Sequence, residues 1–162
     1  MVGAAQDPRT DIERRLTDLG VALPAPPTPL GVYVEAVQSG SLLILTGMLP
    51  VVRGQPQFVG RLGGMLTVEE GYEATRTACL NGLAVAKQAL SSLNKVVRVV
   101  KLGVYIATEG DFHEHPRVAD GASELLLAAF GSDKLPPRIV LGVASIPLGM
   151  AVEVELVFET EL

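Results

Sequence analysis

Between residues 67 and 108 the sequence changes its periodicity once, and that change restricts the folds open to it. Thr67 is followed three residues later by Glu70, a capping-box pattern. From there to about Leu90, residues suited to a core recur at helical spacing: Tyr72, Cys79, Leu83, Ala86 and Leu90, then Leu93. The β-branched run "VVRVVKLGVYIAT" (96–108) then predicts a strand. A further helix is expected over about 116–129, with Pro116 in its first turn and Gly131 beyond its end. The stretch "PPRIVLGVASIPLGMAVEVELVFE" (136–159) supplies two more strands around "PLG". Upstream, Tyr33–Gln38 and Leu42–Thr46 read as a hairpin around "SGS", and 51–66 is glycine-rich, with room for one short strand.

This order, β-β-(β)-α-β-α-β-β, implies an α+β fold. Parallel crossovers are expected in its centre and antiparallel pairs at its ends, giving one mixed sheet with two helices on one face. The other face is left without helices. Valine-rich strands do not leave such a face wet at low cost, so further copies of the chain are expected to cover it. At the N-terminus, Thr10 and Glu13 form a second capping-box pattern before a short helix over 11–19. Gly20 stops that helix and "LPAPPTPLG" continues as an extended linker, because proline blocks helix. The domain division is therefore 1–27, helix and proline-rich linker, and 28–162, the α+β domain.

The 162 residues suffice for one hydrophobic core, and 48% hydrophobic against 19% charged is a globular composition. With no tryptophan, the core must be aliphatic. A net charge of −5, with no basic cluster, argues against nucleic acid as a partner. The mixed run "NKVVRVVK" reads as the solvent face of a strand. The single cysteine, Cys79, reads as a small core residue and excludes a disulfide within the chain, which fits a reducing compartment. No signal-peptide pattern is evident and no apolar run is long enough for a membrane helix, so a soluble cytoplasmic protein is expected. "VGRLGG" (59–64) lacks the Lys-Ser/Thr of a phosphate loop, and "GVASIPLG" contains no G-x-S-x-G elbow. In "FHEHP" (112–116), His113 and His115 stand near Asp111 and Glu114, but no third histidine exists and no metal site is expected.

The charges within 136–159 need a reason. Arg138 enters a strand just after two prolines; it is either a surface charge or a bidentate clamp for a carboxylate, which a planar guanidinium suits. Glu153 and Glu155 share one face of the last strand, opposite Val152, Val154, Leu156 and Phe158. If 138–146 and 150–159 were a tight hairpin about Leu148, Arg138 and Glu153 would lie on the order of 17 Å apart. A small ligand could then join them only across a subunit interface, or if the connection is not a tight hairpin.

The segments "YVEAV", "LLILTGMLP", "TRTACLNGLAVAKQAL", "VVKLGVYIAT" and "PRIVLGVASIPLGMAVEVELVFE" resemble the RidA (YjgF-type) family of reactive-intermediate deaminases over about residues 28–160. The most specific block is the last, with Arg, I-P and V-E-V-E at fixed spacing. The N-terminal helix and "HEHP" look like features of a divergent branch. The resemblance implies a chorismate-mutase-like fold, a homotrimer with ligand clefts between subunits, and hydrolysis of 2-imino or enamine acids to 2-keto acids and ammonia without a cofactor. It also implies the roles. Arg138 matches the arginine that binds the substrate carboxylate, and Glu153 the glutamate that holds the attacking water. Tyr33 matches a tyrosine at the cleft mouth, and Thr46 and Gly47 a small-residue turn lining the cleft. Val140 takes the place of a cysteine that acts through its main chain. Met48 stands where glutamine is common, and Asp120 where many relatives have asparagine. Two other readings are a non-catalytic trimer that binds a small 2-keto or imino acid as a sensor or partner protein, and, more weakly, an endoribonuclease.

Overall fold

The computed structural model describes residues 11–161. The chain opens with α1 (Ile12–Asp18), whose N-cap is Asp11: its carboxylate accepts the Arg14 N–H at 2.9 Å. Thr10, the cap expected from sequence, lies outside the described residues. Glu13 instead reaches across the fold, accepting from Lys87 Nζ (2.8 Å), Ser92 Oγ (2.9 Å) and the Leu93 N–H (3.0 Å). Burial alone raises this carboxyl, but the three donors outweigh it and hold the pKa below the ordinary glutamate value. Ile12 and Leu16 are buried in the same core as the rest of the molecule.

The capping box at Thr67 forms as expected. Its hydroxyl accepts the Glu70 N–H and the Glu70 carboxylate accepts the Thr67 N–H, opening α2 (Val68–Leu90). The buried face of α2 includes Ala74, Ala78, Cys79, Leu83 and Ala86. Burial pushes the Cys79 thiol up to about 12, so it stays protonated at neutral pH. Two members of the expected stripe, Tyr72 and Leu90, are only partly buried. Tyr72 points its hydroxyl at Glu124 (2.5 Å) on α3 (His115–Phe130). The two helices approach closely because Gly121 faces the Tyr72 carbonyl, where a Cβ would overlap backbone. Thr75 Oγ1 donates to the Val118 carbonyl at 2.6 Å across the same contact.

The main sheet contains β1 (Ala36–Ser39), β2 (Leu42–Leu45), β5 (Val96–Ala107), β6 (Arg138–Val143) and β7 (Val152–Thr160) in the order β1-β2-β7-β5-β6. The segment 51–66 contributes two short strands rather than one, β3 (Val51–Val52) and β4 (Gln55–Pro56), which pair apart from the main sheet. The first predicted strand begins at Ala36, so Tyr33 lies before it, in a bend.

One expected pairing is wrong. The strands over 136–159 do not form a hairpin: β6 pairs parallel with one edge of β5, and β7 antiparallel with the other. The twelve-residue β5 is long enough to pair along both strands, and the turn at Pro147–Gly149 carries the chain to its far side. β7 also pairs antiparallel with β2, so β2 and β5, parallel in direction, are separated by it. Among the named strands the only parallel pair is β5–β6, joined through α3.

Helices α2 and α3 cover one sheet face. The opposite face presents apolar side chains to solvent, from Leu42 at 38% exposed to Val37 at 50%, with Ile44, Ile139 and Leu141 between. At one end of this face Ala107, Ile146 and Met150 form a small second core.

Candidate active-site cleft

Glu153 sits on the open face of β7, paired in register with Tyr105. Its position is fixed by the chain that crosses in front of it. After β2, Met48 exchanges two backbone hydrogen bonds with Val154 (2.7 and 2.8 Å), which lays Gly47 directly against the Glu153 carboxylate. A Cβ on Gly47 would overlap Glu153 Oε1 and come within 2.7 Å of its Cδ. Gly47 therefore leaves the space that this carboxylate occupies; its φ lies outside the left-handed region.

Among the described residues no donor or cation reaches the Glu153 carboxylate. Burial alone raises its pKa above the ordinary glutamate value. Its neighbour Glu155 differs. Lys101 Nζ (2.8 Å) and the Tyr105 hydroxyl (2.9 Å) both donate to it, and the Lys101 bond leads in holding its pKa below the ordinary value. Of the two glutamates in the valine run, Glu155 is neutralised and Glu153 is left free to accept a proton. Glu153 and Gly47 line an open groove of about 410 Å³ with Tyr105, Val143, Ser145 and Ile146.

Tyr33, Thr46 and Gly47 line an adjoining cavity, so four of the predicted residues cluster in one chain. Tyr33 is half-exposed at the margin, and its hydroxyl accepts the Leu30 N–H at 2.9 Å. Met48 is buried.

Arg138 and Val140 lie elsewhere. Both sit on β6, an edge strand, and Arg138 is level with Leu102 while Glu153 is level with Tyr105. Two strand spacings and three residues put their Cα atoms roughly 14 Å apart. They also face opposite ways. Arg138 turns to the helix side, where Nη1 donates to Asp120 Oδ1 (2.7 Å) and Ser123 Oγ (2.9 Å) on α3. Losing the hairpin therefore does not unite the two charges within a chain. The Leu102 N–H donates to the Pro137 carbonyl, so the regular alternation of a parallel ladder turns the Val140 N–H and C=O out from the free edge. A main-chain donor beside Arg138 is thus available to another molecule.

His115 packs edge-on against Phe112 at 5.0 Å and lies over Gly142, where a Cβ would come within 2.8 Å of its Nε2. His113 pairs with Asp111 at 2.7 Å. The two histidines are thus engaged separately, and among the described residues no three His, Cys, Asp or Glu side chains are grouped to hold a metal. No helix described is long and apolar enough to cross a membrane.

Sequence reasoning missed Glu35, Tyr105 and Ser123. Glu35 could have been found: it stands two residues after Tyr33 in the stretch expected as a strand, where alternation would put both on one face, although the strand itself begins at Ala36. Ser123 has a similar signal, one helical step after Asp120. Tyr105 depended on a strand pairing that the sequence did not reveal.

Residues 13–160 match the family model described as "YjgF/chorismate_mutase-like, putative endoribonuclease". The protein TCP17 of Trypanosoma cruzi is 40% identical over 149 residues, covering 91% of this chain and 93% of that one. A protein of Dermatophagoides farinae named 2-iminobutanoate/2-iminopropanoate deaminase is 28% identical over 87% of this chain and 95% of its own. Among solved structures, the protein Atu1372 of Agrobacterium tumefaciens, of unknown function, superposes with a TM-score of 0.86 at 34% identity, covering 94% of this chain and 95% of that one.

Proposed function

The chain belongs to the YjgF/chorismate mutase-like family, and from that premise we propose that it hydrolyses reactive 2-imino acids to 2-keto acids and ammonia, in clefts completed between the subunits of a homotrimer. The observation that carries this reading is Glu153, a half-buried carboxylate without a donor among the described residues, held over Gly47 in an open groove with its pKa raised. Such a group suits a general base near neutral pH better than an ordinary surface glutamate. Three further observations support it. Arg138 and the free backbone of Val140 lie together on an edge strand, on the far face from Glu153 within the chain. The uncovered apolar face offers a surface for other copies. A relative bears an imine-deaminase name.

The chemistry balances with these groups. A water held by Glu153 adds through oxygen to the imine carbon, and its proton passes to the carboxylate. The C=N π electrons move to nitrogen, which the outward Val140 N–H or C=O is placed to orient. The proton on Glu153 then transfers to nitrogen, giving a carbinolamine; the carboxylate next takes the carbinol proton and delivers it to the amino nitrogen, so that the carbinol oxygen becomes the keto group as the C–N bond breaks and ammonia leaves. Arg138 holds the substrate carboxylate throughout, so most of the rate gain comes from positioning.

The test generates 2-iminobutanoate in situ with a dehydratase and captures surviving imine with semicarbazide. The wild-type chain is expected to suppress semicarbazone formation, and Arg138→Ala to lose most of that effect. Equal rates for both proteins refute the reading, as does a stable monomer in light scattering at micromolar concentration. A second reading, a trimer that binds a small keto acid without turnover, is favoured by one observation: Arg138 is already engaged by Asp120. Saturable keto-acid binding without imine loss would establish it instead.

A further inference from the structure

Beside the Glu153 groove, and sharing Gly47 with it, lies the cavity that Tyr33 and Thr46 also line, of about 140 Å³. Its walls are largely apolar: the Pro27–Leu30 strap on one side, and Met48, Val51, Pro56 and Leu148 on the others. One charged side chain lines it, Glu35. The backbone of Glu35 is fixed, its carbonyl accepting the Thr46 N–H at 2.9 Å. Its carboxylate has neither a donor nor a cation among the described residues, and burial holds its pKa above the ordinary value. The carboxylates of Glu13, Asp120 and Glu155, in contrast, each meet a cation of the chain itself. A partly buried carboxylate facing apolar walls without a partner costs stability, and a ligand cation would offset that cost.

We infer that this cavity receives the side chain of the substrate, and that Glu35 selects side chains ending in an ammonium or guanidinium group. The inference rests on the imine-hydrolase reading for the identity of the reacting end. Its geometry is independent of that reading. Gly47 borders both spaces and carries no side chain of its own, so a molecule with its reacting carbon at Glu153 crosses toward Glu35 at that residue. Glu35 lies across from Thr46 at the β1–β2 margin, and Glu153 on the next strand, β7; two strand spacings and a short offset separate their Cα atoms by roughly 10–12 Å. With each carboxylate reaching inward, a basic side chain of four to seven atoms bridges the remaining gap. The Tyr33 hydroxyl accepts from the Leu30 N–H, which holds the strap as the outer wall.

The experiment titrates the full-length protein with two 2-keto acids that differ at the far end: 5-guanidino-2-ketopentanoate and 2-ketohexanoate. Wild type is expected to bind the guanidino compound about tenfold more tightly, the scale of one charge-assisted hydrogen bond at a partly exposed site. Glu35→Gln is expected to erase that preference while leaving 2-ketohexanoate affinity near the wild-type value and Tm at or slightly above it. Glu35→Asp is expected to retain part of it. Equal affinity of wild type for the two acids, or a preference that survives Glu35→Gln, overturns the inference. A parallel turnover assay on the imines of arginine and norleucine separates the two failures. Loss of turnover on both imines with the binding preference intact sinks the hydrolase reading alone, whereas turnover of both without a Glu35-dependent preference sinks only the selectivity.

Discussion

Replacing Gly47 by alanine isolates the geometric claim about Glu153. The added methyl would stand 2.7 Å from Glu153 Cδ and 3.0 Å from its Cγ. Carbon atoms prefer about 3.5–4.0 Å, so the carboxyl group must retreat by about 1 Å. It can do so, because Glu153 is only partly buried and no hydrogen bond among the described residues holds it. The fold therefore tolerates the change. Alanine also restricts the unfolded chain, a gain of about 0.4–1 kcal/mol where φ is ordinary, which offsets the cost of rotating Glu153. In a chain of this size 1 kcal/mol moves Tm by about 2–4 °C, so Tm should shift by no more than that. Catalysis has no such slack. A misplacement of about 1 Å in a reacting group can cost about 100-fold, close to 2.7 kcal/mol of barrier. The expected result for Gly47→Ala is a kcat/KM for imine loss lowered about 100-fold, with a Tm within a few degrees of wild type. An unchanged kcat/KM at unchanged Tm would show that Glu153 does not act from the position it holds against Gly47.

Two further outcomes follow from the charges around the cleft. Asp120→Asn removes the carboxylate that shares Arg138 and should tighten 2-keto acid binding severalfold; unchanged or weaker binding in titration calorimetry would mean that Asp120 positions Arg138 rather than competing with the ligand. Burial raises the folded-state pKa of Glu153 above its unfolded value, so its contribution to stability is fully present below the unfolded value, about 4.3, and is lost as pH rises through the folded pKa. Glu153→Gln should accordingly raise Tm at pH 7, with a gain that fades toward pH 4, while turnover is lost; a gain that is independent of pH would point to packing rather than charge.

The fold was legible wherever a local signal decides. The capping box at Thr67 and Glu70, the β-branched run at 96–108 and the proline at the start of α3 each act within a few residues, and each element formed where its signal lies. Strand order depends on which long strand outcompetes a local turn. A tight turn at Pro147–Gly149 reads as a hairpin, yet β7 pairs with β5 from Val96 to Ile106, a longer ladder than the six-residue β6 could offer on that edge. That longer ladder works against the lower loop entropy of a hairpin, and no pattern within 136–159 records it.

The same reasoning explains why the site was only half legible. Tyr33, Thr46, Gly47 and Glu153 come together because two backbone bonds between Met48 and Val154 bring distant segments side by side. Arg138 and Glu153 keep their fifteen-residue spacing, but that spacing crosses the whole sheet: an edge strand, a turn and a central strand, with the side chains on opposite faces. Rotamer changes cannot bring charges together through a packed sheet. If both act on one small ligand, two copies of the chain must supply them, and activity should then depend on protein concentration with the same midpoint as assembly. Dilution assays that retain full specific activity after light scattering shows dissociation to monomers would separate Arg138 from Glu153 and leave each with its own role.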